Sequence, residues 1–562
     1  MRTRAVAAVL LAASAFAGAV RARPTVLAGG LIVDGSGEAP YAGWLAMDGD
    51  RITGIGKGAA PAVKGATVIN VQGQAIAPGF INMLSWATES LLVDGRALSD
   101  LKQGITLEVM GEGESMGPWN DAMKALDARR QGDIKYQATW TSLGEYLNHL
   151  EQRGIAVNVA SFVGAATVRV HELGENNVQP TQAQLARMQG LVRAAMHEGA
   201  MGVGSSLIYT PGNYAKTAEL TALMQAAAPC GGVYISHIRN EGPTLEAALE
   251  EIIAIAQASG ARAEIYHMKQ AGRANWGKYD AMVARIEAAR AAGVQLTADM
   301  YTYAASSTGL DASMPLWVQE GGIEAWTARM KDPAVRARVI ADMRNPPAGE
   351  TNSMAEAGGP DKVLLLGFKT AALKALTGKT LAEVAASRGT SAEDTAIDLV
   401  IEDGSRIQVA YFSMNEANVK KQIALPWMSF ASDASAQAPE GVFLKSSTHP
   451  RAYGNFARVL GKYVREEKVI SLAEAVRKLS AQPADNLRIA ARGRLKPGNF
   501  ADVVVFDPAT IADRATFAQP QQLAVGVGHV WVNGVQVLKD GEPTGAAAGR
   551  FVKGPGAGKC PA

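Results

Sequence analysis

GVYISHIRNEGPTLEAALEEIIAIAQASGARAEIYHMKQAGRANWGK, residues 232–278, is the stretch that decides the fold. It parses as strand, helix, strand, and a histidine closes each strand: His237 and His267. Between them Leu245, Ala248, Leu249, Ile252 and Ala256 recur at three-and-four spacing, an apolar stripe suited to packing on a sheet. A right-handed βαβ crossover makes the two strands parallel neighbours, so both imidazoles emerge at one sheet edge. Two histidines on adjacent C-terminal strand ends are what a metal site in an α/β barrel requires.

The same alternation extends in both directions. Strand candidates fall at 79–84, 105–110, 156–163, 202–207, 232–237, 262–267, 295–301 and 428–433, with amphipathic helices at 181–199, 216–229, 243–259 and 276–292. Eight repeats of β then α spell a TIM-like (β/α)8 barrel, with an open doubly wound sheet as the lesser alternative. A ninth run, IQVAYFSM at 407–414, is one strand too many for that count. From about 312 to 405 the pattern turns mostly helical around a break, NPPAGETNSMAEAGGP, and reads as an insertion near the barrel mouth. Outside the barrel, 23–76 and 493–555 are short β-prone runs broken by DG and GD turns, predicting one small β-sandwich built from both termini. The barrel then occupies 77–492.

With 562 residues, 48% hydrophobic and 19% charged, the chain has ample core and no disordered character. A net charge of +2 gives no reason to expect nucleic acid or anionic lipid as a partner. Residues 1–22 carry an Arg-bearing start, an apolar run rich in Ala and Leu, and small residues at Ala17 and Ala19. That is a secretory signal peptide, too short to be a membrane anchor, and predicts a periplasmic or secreted protein. Cys230 and Cys560 are the two cysteines, so far apart in sequence that no structural disulfide is expected between them.

Of seven histidines, His149 and His197 sit on helical patterns, His171 in a polar loop and His529 in a C-terminal strand, with no pattern around them. Other strand ends supply carboxylates. QGITLEVMGEGESMGP enters a Gly-rich turn offering Glu108, Glu112 and Glu114, and MSFASDASA closes a late strand at Asp433. One carboxylate and two neutral imidazoles around Zn²⁺ leave an open position for water, whose pKa falls from about 15.7 to about 7. A second, unligated carboxylate then serves as general base and protonates the leaving amine. Taken singly, Glu112 and Asp433 read better as helix caps; taken together they do not.

These segments, with SSLIYTPGNYA, SHIRNEG, HMKQAGRANWGK, DMYTYAASST, FASD, HPRAYGNFARVLG and GRLKPGNFADVVVFDP, resemble the N-acyl-D-amino-acid deacylases (D-aminoacylases) of the amidohydrolase superfamily over nearly the whole mature length. The resemblance implies a TIM-like barrel with a β-sandwich made from both termini. It makes His237 and His267 ligands of a tightly held zinc and Asp433 the catalytic aspartate. It also places Tyr209, Lys269, Tyr301, Ser307 and Arg451 along the substrate pocket, with Arg451 able to grip an α-carboxylate through its guanidinium fork.

Two departures stand out. Superfamily members carry an HxH motif after the first barrel strand, whereas APGFINMLSWATES puts Leu84 and Trp86 there, and neither side chain ligates zinc. Alignment on SMGP puts Glu112 where the family has a cysteine, and a carboxylate is a harder but competent ligand. The expectation is therefore one zinc per chain held by Glu112, His237 and His267, with Leu84 and Trp86 making one side of the pocket apolar. The expected partner is an N-acyl amino acid. The alternatives are the same chemistry on a dipeptide or lactam, or an inactive binding protein on a degenerate barrel.

Overall fold

The two histidine-bearing strands lie side by side and parallel, Ser206 facing His237 and Ser236 facing Ile265 across consecutive pairings. The computed structural model describes residues 23–561, so the expected leader at 1–22 lies outside the described residues. Eight parallel positions surround the barrel: β1 (Phe80–Asn82), β2 (Ile105–Met110), β3 (Asn158–Ser161, continued by Val163–Gly164), β4 (Gly202–Ser206), β5 (Val233–His237), β6 (Ala263–Ile265), β7 (Leu296–Met300) and β8 (Met428–Phe430). β3 joins β2 through its first half and β4 through its second. The ring closes where β8 meets β1: Met83 N–H donates to Phe430 O, and Ser85 bridges Ala434 in parallel.

Period-two alternation sorts side chains to the two faces of these strands. Val233 and Ile235 cluster with Ile81, Leu107, Val109 and Tyr266 in the interior, and His237 follows in the same phase. Tyr234 faces the other way, into the layer with Leu249, Ile252 and Ile253 of the crossover helix Leu245–Ser259. The expected helices appear at Gln182–Glu198, Thr217–Ala227, Leu245–Ser259 and Tyr279–Ala291, the last entered through a 3-10 turn over Arg273–Lys278. His171 is not in a loop as expected; it lies on the helix Ala165–Leu173.

The surplus strand is resolved by the insertion. Gln408–Tyr411 is the middle of a three-stranded antiparallel sheet, between Ser306–Gly309 and Val363–Gly367. This sheet packs with flanking helices on a core of its own that includes Leu310, Trp326, Val339, Leu365 and Val409. Helices follow one another between these strands, and the rims at Ser306–Gly309 and Gln408–Tyr411, outside 312–405, pair with each other. Pairing between residues a hundred positions apart leaves no local signature.

Strands from both ends of the chain share one nine-stranded sheet among the described residues, joined where Ala77 of Ala75–Pro78 pairs antiparallel with Val504 of Val503–Phe506. After that sheet the tail turns back onto the barrel. Gly549 N–H donates to Ile155 O and Val552 N–H to Val159 O, and the tail ends at Cys560, which is disulfide-bonded to Cys230. This overturns the expectation of no disulfide: the tail's path along the barrel brings together residues 330 positions apart. Replacing both cysteines by alanine should lower unfolding free energy by about 2–4 kcal/mol, since the bridge closes a long loop in the unfolded chain. Denaturant titration checks this, and an unchanged midpoint would contradict it.

Candidate metal centre

Glu112 stands at the end of β2 between Gly111 and Gly113, both with left-handed backbone. A Cβ on Gly111 would run into the Phe162 carbonyl and one on Gly113 into Ser206, so only glycine lets this turn press against β3 and β4. The turn aims the Glu112 carboxylate at the two histidines. Its Oε1 lies 3.1 Å from His237 Nδ1 and 3.0 Å from His267 Nε2, and all three residues are buried. These three form a cluster, within which the candidate ligand atoms all lie inside 4.8 Å of one another. Ligand atoms bound tetrahedrally at 2.0–2.1 Å sit about 3.3 Å apart, so the spacing and the donor set of two imidazoles and a carboxylate both fit zinc.

His267 itself has positive φ (32°), a costly conformation for a bulky residue. Asp299 on β7 holds it there, its Oδ1 accepting the His267 backbone N–H at 2.7 Å. The outer nitrogens of both rings face a residue the sequence reading passed over. Glu241, four residues after His237, has Oε1 at 3.2 Å from His267 Nδ1 and Oε2 at 3.6 Å from His237 Nε2. Lys269 Nζ bonds the same carboxylate at 2.6 Å and lies 2.7 Å from His267 Nδ1. The SHIRNEG segment contained the clue, a carboxylate one helical turn beyond a candidate ligand, but the loop geometry that turns it inward is tertiary.

Electrostatics follow from this packing. Burial favours the neutral form of Glu112, yet the His267 and His237 imidazoles outweigh it and hold the carboxyl well below the usual range. Glu241 is likewise held low, against burial, by Lys269 and the two rings. Burial pushes His237 down. Burial and Lys269 oppose charge on His267 too, but Glu112 and Asp433 prevail and raise it to about 10.

Asp433 follows β8, also at positive φ (49°), and its N–H donates to Leu84 O. Burial lifts its pKa above the ordinary aspartate value despite the nearby Arg451 guanidinium. Its Oδ1 accepts the Trp86 indole N–H at 3.1 Å, and its Oδ2 lies 2.6 Å from Arg451 Nη1. The expected apolar wall is thus corrected: Leu84 is buried in the barrel interior away from the cavity, and Trp86 presents a polar edge to Asp433.

A cavity of about 870 Å³ opens over these residues, lined also by Tyr209, Lys269, Tyr301, Ser307 and Arg451. Tyr209 packs edge-on against His237, and Arg451 lies over the Tyr301 ring at 4.5 Å. The Ser307 hydroxyl is spent on Val409 O and Gln408, while its carbonyl accepts Arg451 Nη2 at 3.3 Å. The ammonium of Lys269 turns to Glu241. Of the other two candidate carboxylates, Glu108 is buried against Asn82, away from the cluster, whereas Glu114 lines the cavity.

Residues 67–538 match the amidohydrolase family. An N-acyl-D-glutamate deacylase of Alcaligenes xylosoxydans xylosoxydans is 32% identical over 522 residues, covering 92% of this chain and 94% of the relative. A D-aminoacylase structure, described as a binuclear metal centre with one-metal activation and second-metal attenuation, is 30% identical with a TM-score of 0.77, over 94% of this chain and 99% of that one. An N-acyl-D-glutamate deacylase from Bordetella bronchiseptica, complexed with zinc and a phosphonate mimic of the tetrahedral intermediate, is 31% identical with a TM-score of 0.76, at the same coverage.

Glu241→Gln keeps the size of the side chain but removes the charge facing both outer nitrogens. Zinc affinity should fall about 10- to 100-fold, the usual cost of losing a carboxylate behind ligating histidines. Competition with a chromophoric chelator measures it, and unaltered affinity would deny Glu241 that part.

Proposed function

The chain belongs to the amidohydrolase family, and from that premise we propose that it is an exported, zinc-dependent N-acyl-D-amino-acid deacylase with one metal held by Glu112, His237 and His267. The observation that carries this reading is the convergence of Glu112 Oε1, His237 Nδ1 and His267 Nε2 beneath a cavity lined by Asp433 and Arg451. A zinc ion bound there supplies Lewis acidity, lowering the pKa of water to about 7 and polarising a carbonyl.

The chain's own groups do the rest. Arg451 is buried, yet its Nε and Nη1 make no aligned hydrogen bond; the close approach of Nη1 to Asp433 is ionic contact only. A guanidinium at the cavity wall, held there by Asp433 and the Ser307 carbonyl, is a group that a substrate α-carboxylate engages through its fork of donors. Asp433 accepts the proton of the attacking water on a carboxylate oxygen and passes it to the amine nitrogen as the amide C–N bond breaks. Tyr301 backs the guanidinium with its ring face. Choice of the D enantiomer follows the names of the relatives, N-acyl-D-glutamate deacylase and D-aminoacylase. Export rests on the leader sequence at 1–22 and on the Cys230–Cys560 bridge, a feature of oxidising compartments.

Asp433→Asn should retain one zinc per chain and lose about 10²- to 10⁴-fold in kcat, the range for a lost general base. Metal analysis and turnover on the same preparation decide it: two tightly held metals, or undiminished turnover, would refute the site. Arg451→Met should raise KM for N-acyl-D-amino acids about 10- to 100-fold, matching a lost charged hydrogen bond, and hardly affect substrates whose carboxylate is esterified. Assays across enantiomeric pairs and their methyl esters would reveal an equal loss on both, which would place the carboxylate elsewhere.

A further inference from the structure

The histidine pair that the resemblance leads one to expect at positions 84 and 86 would supply a second metal site beside Asp433. The residues present do not fit one. Leu84 is fully buried among Ile81, Met83 and Leu107. The indole nitrogen of Trp86 is a donor only, with no lone pair to give a cation. What the structure puts in that place is a hydrogen bond, Trp86 Nε1 to Asp433 Oδ1 at 3.1 Å.

We infer that Trp86 stands in for the second metal: its indole N–H positions Asp433 for catalysis while its ring shuts a second cation out. The inference rests on the proposed role of Asp433 as base. The indole is anchored for the task. Trp86 N–H donates to Ala434 O at 3.0 Å, and the Trp86 carbonyl accepts Ser435 Oγ at 2.8 Å. Both partners directly follow Asp433 in sequence, so the strand ends carrying donor and acceptor are laced together just beyond the contact. Asp433 N–H to Leu84 O at 2.9 Å completes the lacing.

The two oxygens of Asp433 are then divided. Oδ1 is fixed by Trp86, and Oδ2 lies against Arg451, the group that a substrate carboxylate engages. An anionic substrate that takes over the guanidinium leaves Oδ2 free for a proton while the indole keeps the carboxylate in place. A neutral N–H dipole fixes Asp433 with a smaller loss of basicity than an adjacent dication imposes. Trp86 is accordingly a positioning residue, and the attenuation described for the binuclear D-aminoacylase has no counterpart in this chain.

The test uses the zinc-loaded full chain. Dialysed against excess zinc, it should hold one zinc and keep its turnover. The double variant Leu84→His/Trp86→His should take up a second zinc and become sensitive to the excess. Trp86→Phe keeps a ring and removes the donor; kcat should fall about 10-fold or more, with zinc content, melting temperature and KM little changed. Trp86→His, which returns an N–H, should recover much of that loss. A second zinc on the unaltered chain, or wild-type kcat in Trp86→Phe, would overturn the inference. If Asp433→Asn is inactive while Trp86→Phe is normal, only the positioning role falls; if Asp433→Asn is itself normal, the deacylase mechanism falls with it.

Discussion

A buried carboxylate caught between two imidazoles is the contact on which the rest of the molecule turns. Glu112, His237 and His267 come from three different strand ends, and burying them without a charge partner would be costly. The neighbourhood answers with further charges. Glu112, Glu241 and Asp433 face Lys269, Arg451 and the His267 ring, whose raised pKa supplies a third positive charge against the three carboxylates.

Holding this cluster requires backbone conformations that ordinary residues avoid. Gly111 and Gly113 supply two of them without a Cβ, but His267 and Asp433 adopt positive φ with full side chains. In each case the surroundings compensate: Asp299 receives the His267 amide, and Leu84 receives that of Asp433. Strain at these residues is consistent with selection for where a side chain points rather than for stability.

Glu112, Leu84 and Trp86 are the three departures that the resemblance exposes, and Glu112 and Trp86 lie on opposite sides of the centre. Glu112 places an anionic carboxylate between the two imidazoles. An indole in place of imidazole converts a ligand position into a hydrogen-bond donor aimed at Asp433. The insertion contributes from above, its rim strand bringing the Ser307 carbonyl to Arg451.

The family resemblance singled out Glu112 and the missing HxH pair, while local periodicity and spacing in the sequence determined the alternation of strands and helices and the shared edge of His237 and His267. These depend on neighbours within a turn or a crossover, where the chain has few choices. Only the tertiary structure decided the partners that meet across hundreds of residues. It assigned the surplus strand 407–414 to the insertion, bonded Cys230 to Cys560, swung Glu241 behind both rings and turned the Trp86 indole to Asp433. Each of these depends on packing direction, and one residue type can face core, solvent or a carboxylate with no change in the sequence around it.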